Sequence, residues 1–324
     1  MAEFLDNMDF SEYYQESEVI ANILPSSAYL QAVKDSIRHH HTEEKVFLPW
    51  EKANPFFDFR KGEVTIWAGQ NGHGKSQVTD QVKLSLLGQD QKVGNASFEM
   101  KPVTNLRRMA RMHFKTNPFH PAYNNEDGMH LIDGLFGEFC GWTNNRLWMF
   151  NQTGNTCGQK VKGFVRYCAK ELKLDHIFVD NLAKCVSAED GYNEQKAFIG
   201  EMCSIAHDYN VHIHVVHHLK KPAGGEGSKP DKTDIKGSGA ITDQPDNIML
   251  VWRNKPKEDE MKAGSNSKQD EPDCLVYCKK QRNYEGNEDN EPTIALWLHR
   301  DSLQFLGSKD AEPMWFPNYP HRES

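Results

Sequence analysis

From Gly62 onward the chain alternates short β-rich apolar runs with turns and helix-like stretches. The runs are Val64 to Ala68, Lys92 to Phe98, Leu147 to Phe150, His176 to Asp180 and Val211 to His217. This alternation predicts an α/β fold with a mainly parallel central sheet and crossover helices. Between the last two runs, Phe198, Met202, Ile205 and Ala206 recur at helical spacing, which turns that helix face toward the sheet. Three further strands are expected at Asn247 to Trp252, Cys274 to Lys280 and Thr293 to Leu298, the last two forming a C-terminal hairpin across Asn283 to Glu291. The very polar stretch Lys255 to Asp273 reads as a mobile surface loop. Ahead of Gly62 the first 45 or so residues are polar and mixed, with a short amphipathic helix around Ala28 to Ile37. They read as an arm or adaptor.

Composition narrows the class without choosing the function. At 324 residues the chain suits one α/β body with an appendage better than two equal domains. Hydrophobic residues make up 38%, and the apolar runs are too short to span a bilayer. The acidic opening Met1 to Phe10 lacks the apolar stretch of a signal peptide, so a soluble cytoplasmic protein without a membrane partner is expected. Seven cysteines contain no C-x-x-C pair, which speaks against a zinc ribbon and against a disulfide framework. A net charge of -8 argues against a generally basic surface, yet Lys220, Lys221, Lys229, Lys232 and Lys236 crowd one Gly/Pro-rich stretch, so a local positive channel stays open.

The clearest chemistry lies at Gly69-Gln70-Asn71-Gly72-His73-Gly74-Lys75-Ser76, which satisfies G-x-x-x-x-G-K-[ST] between a strand and a helix opening near Gln77. Glycines there let backbone N–H groups approach phosphate oxygens, and the helix N-terminus adds its positive pole. Lys75 compensates the β/γ-phosphate charge, and Ser76 can ligate Mg²⁺. Asp180 ends the apolar strand Ile177-Phe178-Val179, where a carboxylate emerges at the C-terminal edge of the sheet and can hold Mg²⁺ through water. Glu99, after the strand ending in Phe98, is either a solvated surface residue or the base that deprotonates an attacking water. His217 and His218 close the next strand; they are either one buried and one exposed histidine or a pair that touches the γ-phosphate. Lys280-Gln281-Arg282 is either a solvated basic strand end or a cation that reaches a neighbouring subunit's nucleotide.

In this order the motifs resemble the ring-shaped replicative helicases of superfamily 4: the DnaB family and, more closely, the helicase half of phage primase-helicases and of mitochondrial Twinkle. The resemblance covers about residues 48 to 306. It is carried by Trp50, Lys61-Gly62-Glu63, the phosphate loop, Ser97-Phe98-Glu99-Met100, Phe178-Val179-Asp180-Asn181 and His217-His218-Leu219-Lys220. Asp234-Ile235-Lys236-Gly237-Ser238-Gly239-Ala240-Ile241 and Lys280-Gln281-Arg282-Asn283 complete it.

The resemblance implies a RecA-like P-loop core over residues 48–306, between an N-terminal arm over 1–47 and a C-terminal tail over 307–324. It implies Glu99 as catalytic base, Asp180 with Ser76 at Mg²⁺, His218 as γ-phosphate sensor, and Arg282 with its companion Lys280 acting on the adjacent subunit's nucleotide. It also makes the stretch containing Lys220, Lys221, Lys232, Lys236, Gly237, Ser238 and Gly239 a loop that holds single-stranded DNA.

The expected activity is an NTP-driven hexameric helicase, fuelled by ATP or dTTP with Mg²⁺, that translocates on single-stranded DNA and unwinds duplex during replication. A RecA-type recombination or regulatory ATPase that remodels nucleoprotein without unwinding is the alternative. A ring or clamp that uses nucleotide only as a structural ligand is a third. No zinc module or polymerising domain is read ahead of the ATPase, so a separate primase or loader is the expected partner.

Overall fold

The computed structural model describes residues 11–14, 25–39, 45–151, 158–186, 191–220, 227–237, 239–283 and 292–317. Its centre is a nine-stranded sheet in the order β3-β2-β4-β5-β1-β6-β7-β8-β9. The strands are β1 (Val64–Gly69), β2 (Val93–Ser97), β3 (Leu147–Phe150), β4 (His176–Asp180), β5 (His212–His218), β6 (Asn247–Arg253), β7 (Cys274–Gln281), β8 (Thr293–His299) and β9 (Gln304–Leu306). Strands β1 to β6 run parallel, and β7, β8 and β9 continue the sheet antiparallel. The expected strands therefore all form, each within a residue or two of the bounds read from the sequence.

Helices cover both faces, which is why the central strands are buried at consecutive positions rather than on one face only. The helices are α1 (Leu30–His39), α2 (Lys75–Gly88), α3 (Pro102–His113), α4 (Glu126–Thr143), α5 (Gly158–Lys170), α6 (Leu182–Cys185), α7 (Tyr192–Tyr209), α8 (Ala240–Asp243) and α9 (Lys255–Lys262). Val64, Ile66 and Ala68 of β1 join a core with Phe164 of α5 and Phe198, Met202, Ile205 and Ala206 of α7, the apolar stripe expected for that helix. Trp67, on the other side of the same strand, packs with Val78 and Val82 of α2 and Met109 of α3. With strand ends aligned and crossovers on both sides, the loops at the C-terminal edge of β1, β2, β4 and β5 converge on one crevice.

Three segments differ from the sequence reading. The stretch expected as a mobile loop opens with α9, because the Asn254 side chain caps it by accepting from Lys257 N at 3.1 Å. Lys257 is then buried, its amine donating to Glu271 O at 2.6 Å and pairing with Asp273 at 2.8 Å. The hairpin of β7 and β8 extends to a third strand, β9, three residues long and fully buried. Beyond Leu306 the chain stays on the body: Phe316 is buried and Met314 N donates to Gln304 Oε1 at 2.7 Å. The turn from Tyr284 to Glu291 lies outside the described residues.

Candidate functional site

The phosphate loop follows β1 directly. Gly69 has no room for a side chain, since a Cβ there meets Val251 O at 2.7 Å, and Gly74 caps α2 at φ 84°. Both positions need glycine for the loop to turn this tightly against β6. His73 is buried and fastens the loop to the end of β6: Arg253 N donates to its Nδ1 at 3.2 Å, while the Arg253 guanidinium donates to Gly72 O at 3.1 Å. Helix α2 starts at Lys75, two residues earlier than expected, so the backbone N–H groups of its first turn point into the crevice. The Gln77 side chain, in the same turn, donates instead to Leu303 O at 2.7 Å.

Lys75 is buried, and its amine folds back onto Gly69 O at 2.9 Å and Gln70 O at 3.0 Å. Burial lowers its pKa, a shift opposed by the charges of Asp180 and Glu99. Such an amine, short of counter-charge, suits an anion. Ser76 Oγ donates to Asp180 Oδ2 at 2.8 Å. Asp180 is 2% exposed, its second oxygen Oδ1 is buried without a partner, and burial raises its pKa. A hydroxyl and a desolvated carboxylate with a spare oxygen, beside a phosphate cradle, fit Mg²⁺, which keeps several waters and takes few protein ligands. Among the described residues no cluster of three or more His, Cys, Asp or Glu forms a separate metal centre.

Glu99 and His218 face each other across the ends of β2 and β5, with Nε2 of His218 3.5 Å from Oε1 of Glu99. When its Nε2 carries a proton, His218 holds the Glu99 carboxyl below its ordinary range against partial burial, and Lys75 adds to the effect. An ionised carboxylate at the mouth of the crevice is the state a general base needs. Asn181 lies between them: its amide Nδ2 contacts Glu99 Oε1 and sits 2.7 Å from His218 Nε2. The sequence reading gave Asn181 no role, since a single asparagine carries no spacing signature.

Beneath the loop runs a buried charge network that the sequence did not reveal. Asp80 is fully buried in α2; Lys83 pairs with it at 3.0 Å, Asn105 donates at 2.8 Å and Arg108 donates through Nε at 2.6 Å. Arg108 also donates to Ser76 O at 3.0 Å, so α3 braces the start of α2 at the residue that meets Asp180.

The lysine-bearing loop hangs from β5. Lys236 N donates to His218 O at 3.0 Å, Lys220 N donates to Asp234 O at 2.7 Å, and the buried His217 ring contacts Lys236 O. Lys232 and Gly239 are exposed and Lys236 and Gly237 half-buried, while Lys221 and Ser238 lie outside the described residues. Gly237, at φ +114°, approaches Gln195 so closely that a Cβ would overlap it.

Lys280 and Arg282 do not join this crevice. Strand β7 is antiparallel, and Ile248 near the start of β6 pairs with Lys280, so both cations sit at the opposite edge from the phosphate loop. With β1 six residues long, the edges are roughly 20 Å apart. Arg282 donates to Asp243 O at 2.8 Å and Gln244 O at 3.1 Å, and Lys280 to Thr242 O and Asp243 O. Arg282 is half-exposed and pairs with Asp246 at 3.3 Å. Neither cation can serve the nucleotide of its own subunit.

A family model described as the DnaB-like helicase C terminal domain matches residues 55–290. A DNA helicase/primase of Enterobacteria phage T3 is 26% identical over 211 residues, 60% of this chain and 36% of that protein. The replicative DNA helicase DnaB of Treponema pallidum (strain Nichols) is 33% identical over 93 residues, 28% of this chain and 20% of that protein. The chain thus spans well under two thirds of either relative. Among solved structures, one of an isolated ATPase domain superposes with a TM-score of 0.70 at 16% identity, over 88% of this chain and 99% of that one. A DnaB-like replicative helicase, studied for its interactions with primase, gives 0.68 at 15% identity over 88% and 67%. The fold is that of these RecA-like ATPase domains.

Proposed function

Because the chain belongs to the DnaB-like helicase C-terminal domain family, we propose that it is the motor of a replicative ring helicase, hydrolysing ATP or dTTP between subunits to move along single-stranded DNA and part the duplex. The observation that carries this reading is the split of its charged groups. Lys75, Ser76, Asp180, Glu99 and His218 meet in one crevice, while Arg282 and Lys280 stand on the opposite edge. A site without Arg282 on one side, and Arg282 without a site on the other, are completed by head-to-tail repetition of the subunit, which gives a ring when the rotation between subunits closes.

In this mechanism the loop N–H groups from Gly69 to Ser76 and the Lys75 amine grip the β- and γ-phosphates. Ser76 and Asp180 would hold Mg²⁺, which would neutralise charge on the phosphate oxygens. Glu99 accepts a proton from the attacking water as its oxygen bonds to the γ-phosphorus and the bond to the β–γ bridging oxygen breaks, giving nucleoside diphosphate and phosphate. His218 contacts the γ-phosphate, and the neighbour's Arg282, assisted by Lys280, balances the charge of the transition state. The loop bearing Lys220, Lys221, Lys232, Lys236, Gly237, Ser238 and Gly239 holds the DNA backbone. Its attachment at Lys236 to His217 and His218, and just beyond it through α8 to Lys280 and Arg282, supports coupling of nucleotide state to DNA grip. Six subunits and a separate primase or loader complete the proposal. Among the described residues no helix is long and apolar enough to cross a membrane.

The test is nucleotide hydrolysis with and without single-stranded DNA, run beside displacement of a labelled strand from a forked duplex. Stimulation by DNA with strand displacement is expected. Turnover indifferent to DNA, with no displacement, would overturn the motor while leaving the nucleotide site.

A further inference from the structure

We infer that Asn181 is a positioning residue that couples the γ-phosphate sensor to the catalytic base, holding Glu99 and His218 as one unit until phosphate arrives. The inference rests on the roles proposed above for those two residues. Asn181 follows Asp180 at the end of β4, is 1% exposed, and reaches between β2 and β5 to touch both side chains. The carboxylate of Glu99 only accepts hydrogen bonds, so it fixes which way the amide faces: Nδ2, with two N–H donors, points at Glu99 Oε1 and at His218 Nε2.

That geometry makes the histidine's two tasks exclusive. To accept from Asn181 at 2.7 Å, Nε2 must carry no proton. To hold a γ-phosphate oxygen it must donate one. Nε2 therefore serves either Asn181 or phosphate, and the ring must leave the amide when it takes up the phosphate. Glu99 then loses the neighbour that sits 3.5 Å away and keeps its tether to Asn181, turned toward the substrate. Asn181 Oδ1 is buried with no partner, so the amide is not held in place for the sake of a different contact.

The test is steady-state hydrolysis in the full chain with Asn181→Ala, His218→Ala and the double variant, together with Asn181→Asp. The last keeps the size of the side chain but removes both donors and sets a second negative charge against Glu99. A misplaced base costs rate rather than affinity, so kcat is expected to fall roughly tenfold to a hundredfold. KM, and binding of a fluorescent ATP analogue, should stay within about twofold. Because the two residues act through one contact, the double variant should be no slower than the slower single one. Effects of Asn181→Ala and His218→Ala that multiply, or an Asn181→Asp protein that folds with wild-type kcat, would overturn the coupling. Glu99→Gln separates this from failure of the parent reading: if that variant turns over normally, the base assignment itself is wrong, whatever Asn181 does.

Discussion

Lys236 donates its backbone N–H to the carbonyl oxygen of His218 at 3.0 Å, so the lysine loop is tied back to the strand whose end faces Glu99. On the coupling proposed above, a shift of β5 passes to the loop through this backbone bond. Replacing Lys236 by Ala leaves that bond intact and removes one cation. Affinity for single-stranded DNA should weaken similarly for all sequences, and the slope of log affinity against log salt should drop by about one phosphate contact. Basal turnover without DNA should not change. Filter binding across a salt series checks it, and an unaltered slope would remove Lys236 from the DNA path.

Asp180 carries a stability cost that accompanies the metal-binding role proposed for it. Burial raises its pKa, so ionising it costs more in the folded chain than in the unfolded one. By linkage, a group with a raised folded pKa supports the fold fully below its unfolded pKa of 3.8 and loses that support as pH rises through the folded value. At neutral pH the free protein therefore carries an unfavourable carboxylate. Asp180→Asn is expected to stabilise the ligand-free protein by roughly 1 kcal/mol while abolishing Mg²⁺-dependent hydrolysis. Thermal melting with and without Mg²⁺ and nucleotide reads both effects; a lower melting temperature in the variant would contradict the account.

His113 supplies a pH signature away from the site. It is 1% exposed among Phe114, Phe139, Trp142 and Trp315, and both ring nitrogens lack a partner. Burial takes its pKa down to about 4. A depressed histidine gives stability that is present above its unfolded value of 6.5 and lost as pH falls through the folded value. His212 and His217, each also lowered to about 4 by burial, act in the same window. His113→Phe should raise stability by about 1 kcal/mol at neutral pH, by removing unpaired polar atoms, and should shallow the loss between pH 6.5 and 4. Urea midpoints at several pH values check this.

The parallel core could be read from the chain because most of its strands carry a short apolar run set off by turns or helical stretches, as Ile177-Phe178-Val179 is closed by Asp180. The phosphate loop could be read because its glycines answer a local backbone demand. Other features depend on contacts between distant segments, which spacing does not encode. Strand β9 is three residues long and has no alternation to detect. Helix α9 has no apolar stripe and is held by the Asn254 cap and the burial of Lys257 against Asp273. Asp80 and Lys83 look like surface charges of a helix until Arg108 and Asn105 of α3 arrive to pair with them. Asn181 stood next to a recognised carboxylate, yet its use depends on two other strands ending beside it.

The central claim, a site completed by the neighbouring subunit, is tested most directly by mixing two inactive proteins. Arg282→Ala and Lys75→Ala are each expected to lose DNA-stimulated ATP hydrolysis by about 10³-fold or more. In an equal mixture, roughly a quarter of head-to-tail interfaces join an intact phosphate loop to an intact Arg282. If Arg282 acts in trans, hydrolysis returns on mixing to a corresponding fraction of the wild-type rate. A mixture as inactive as its parts, with subunit exchange verified, would contradict the account.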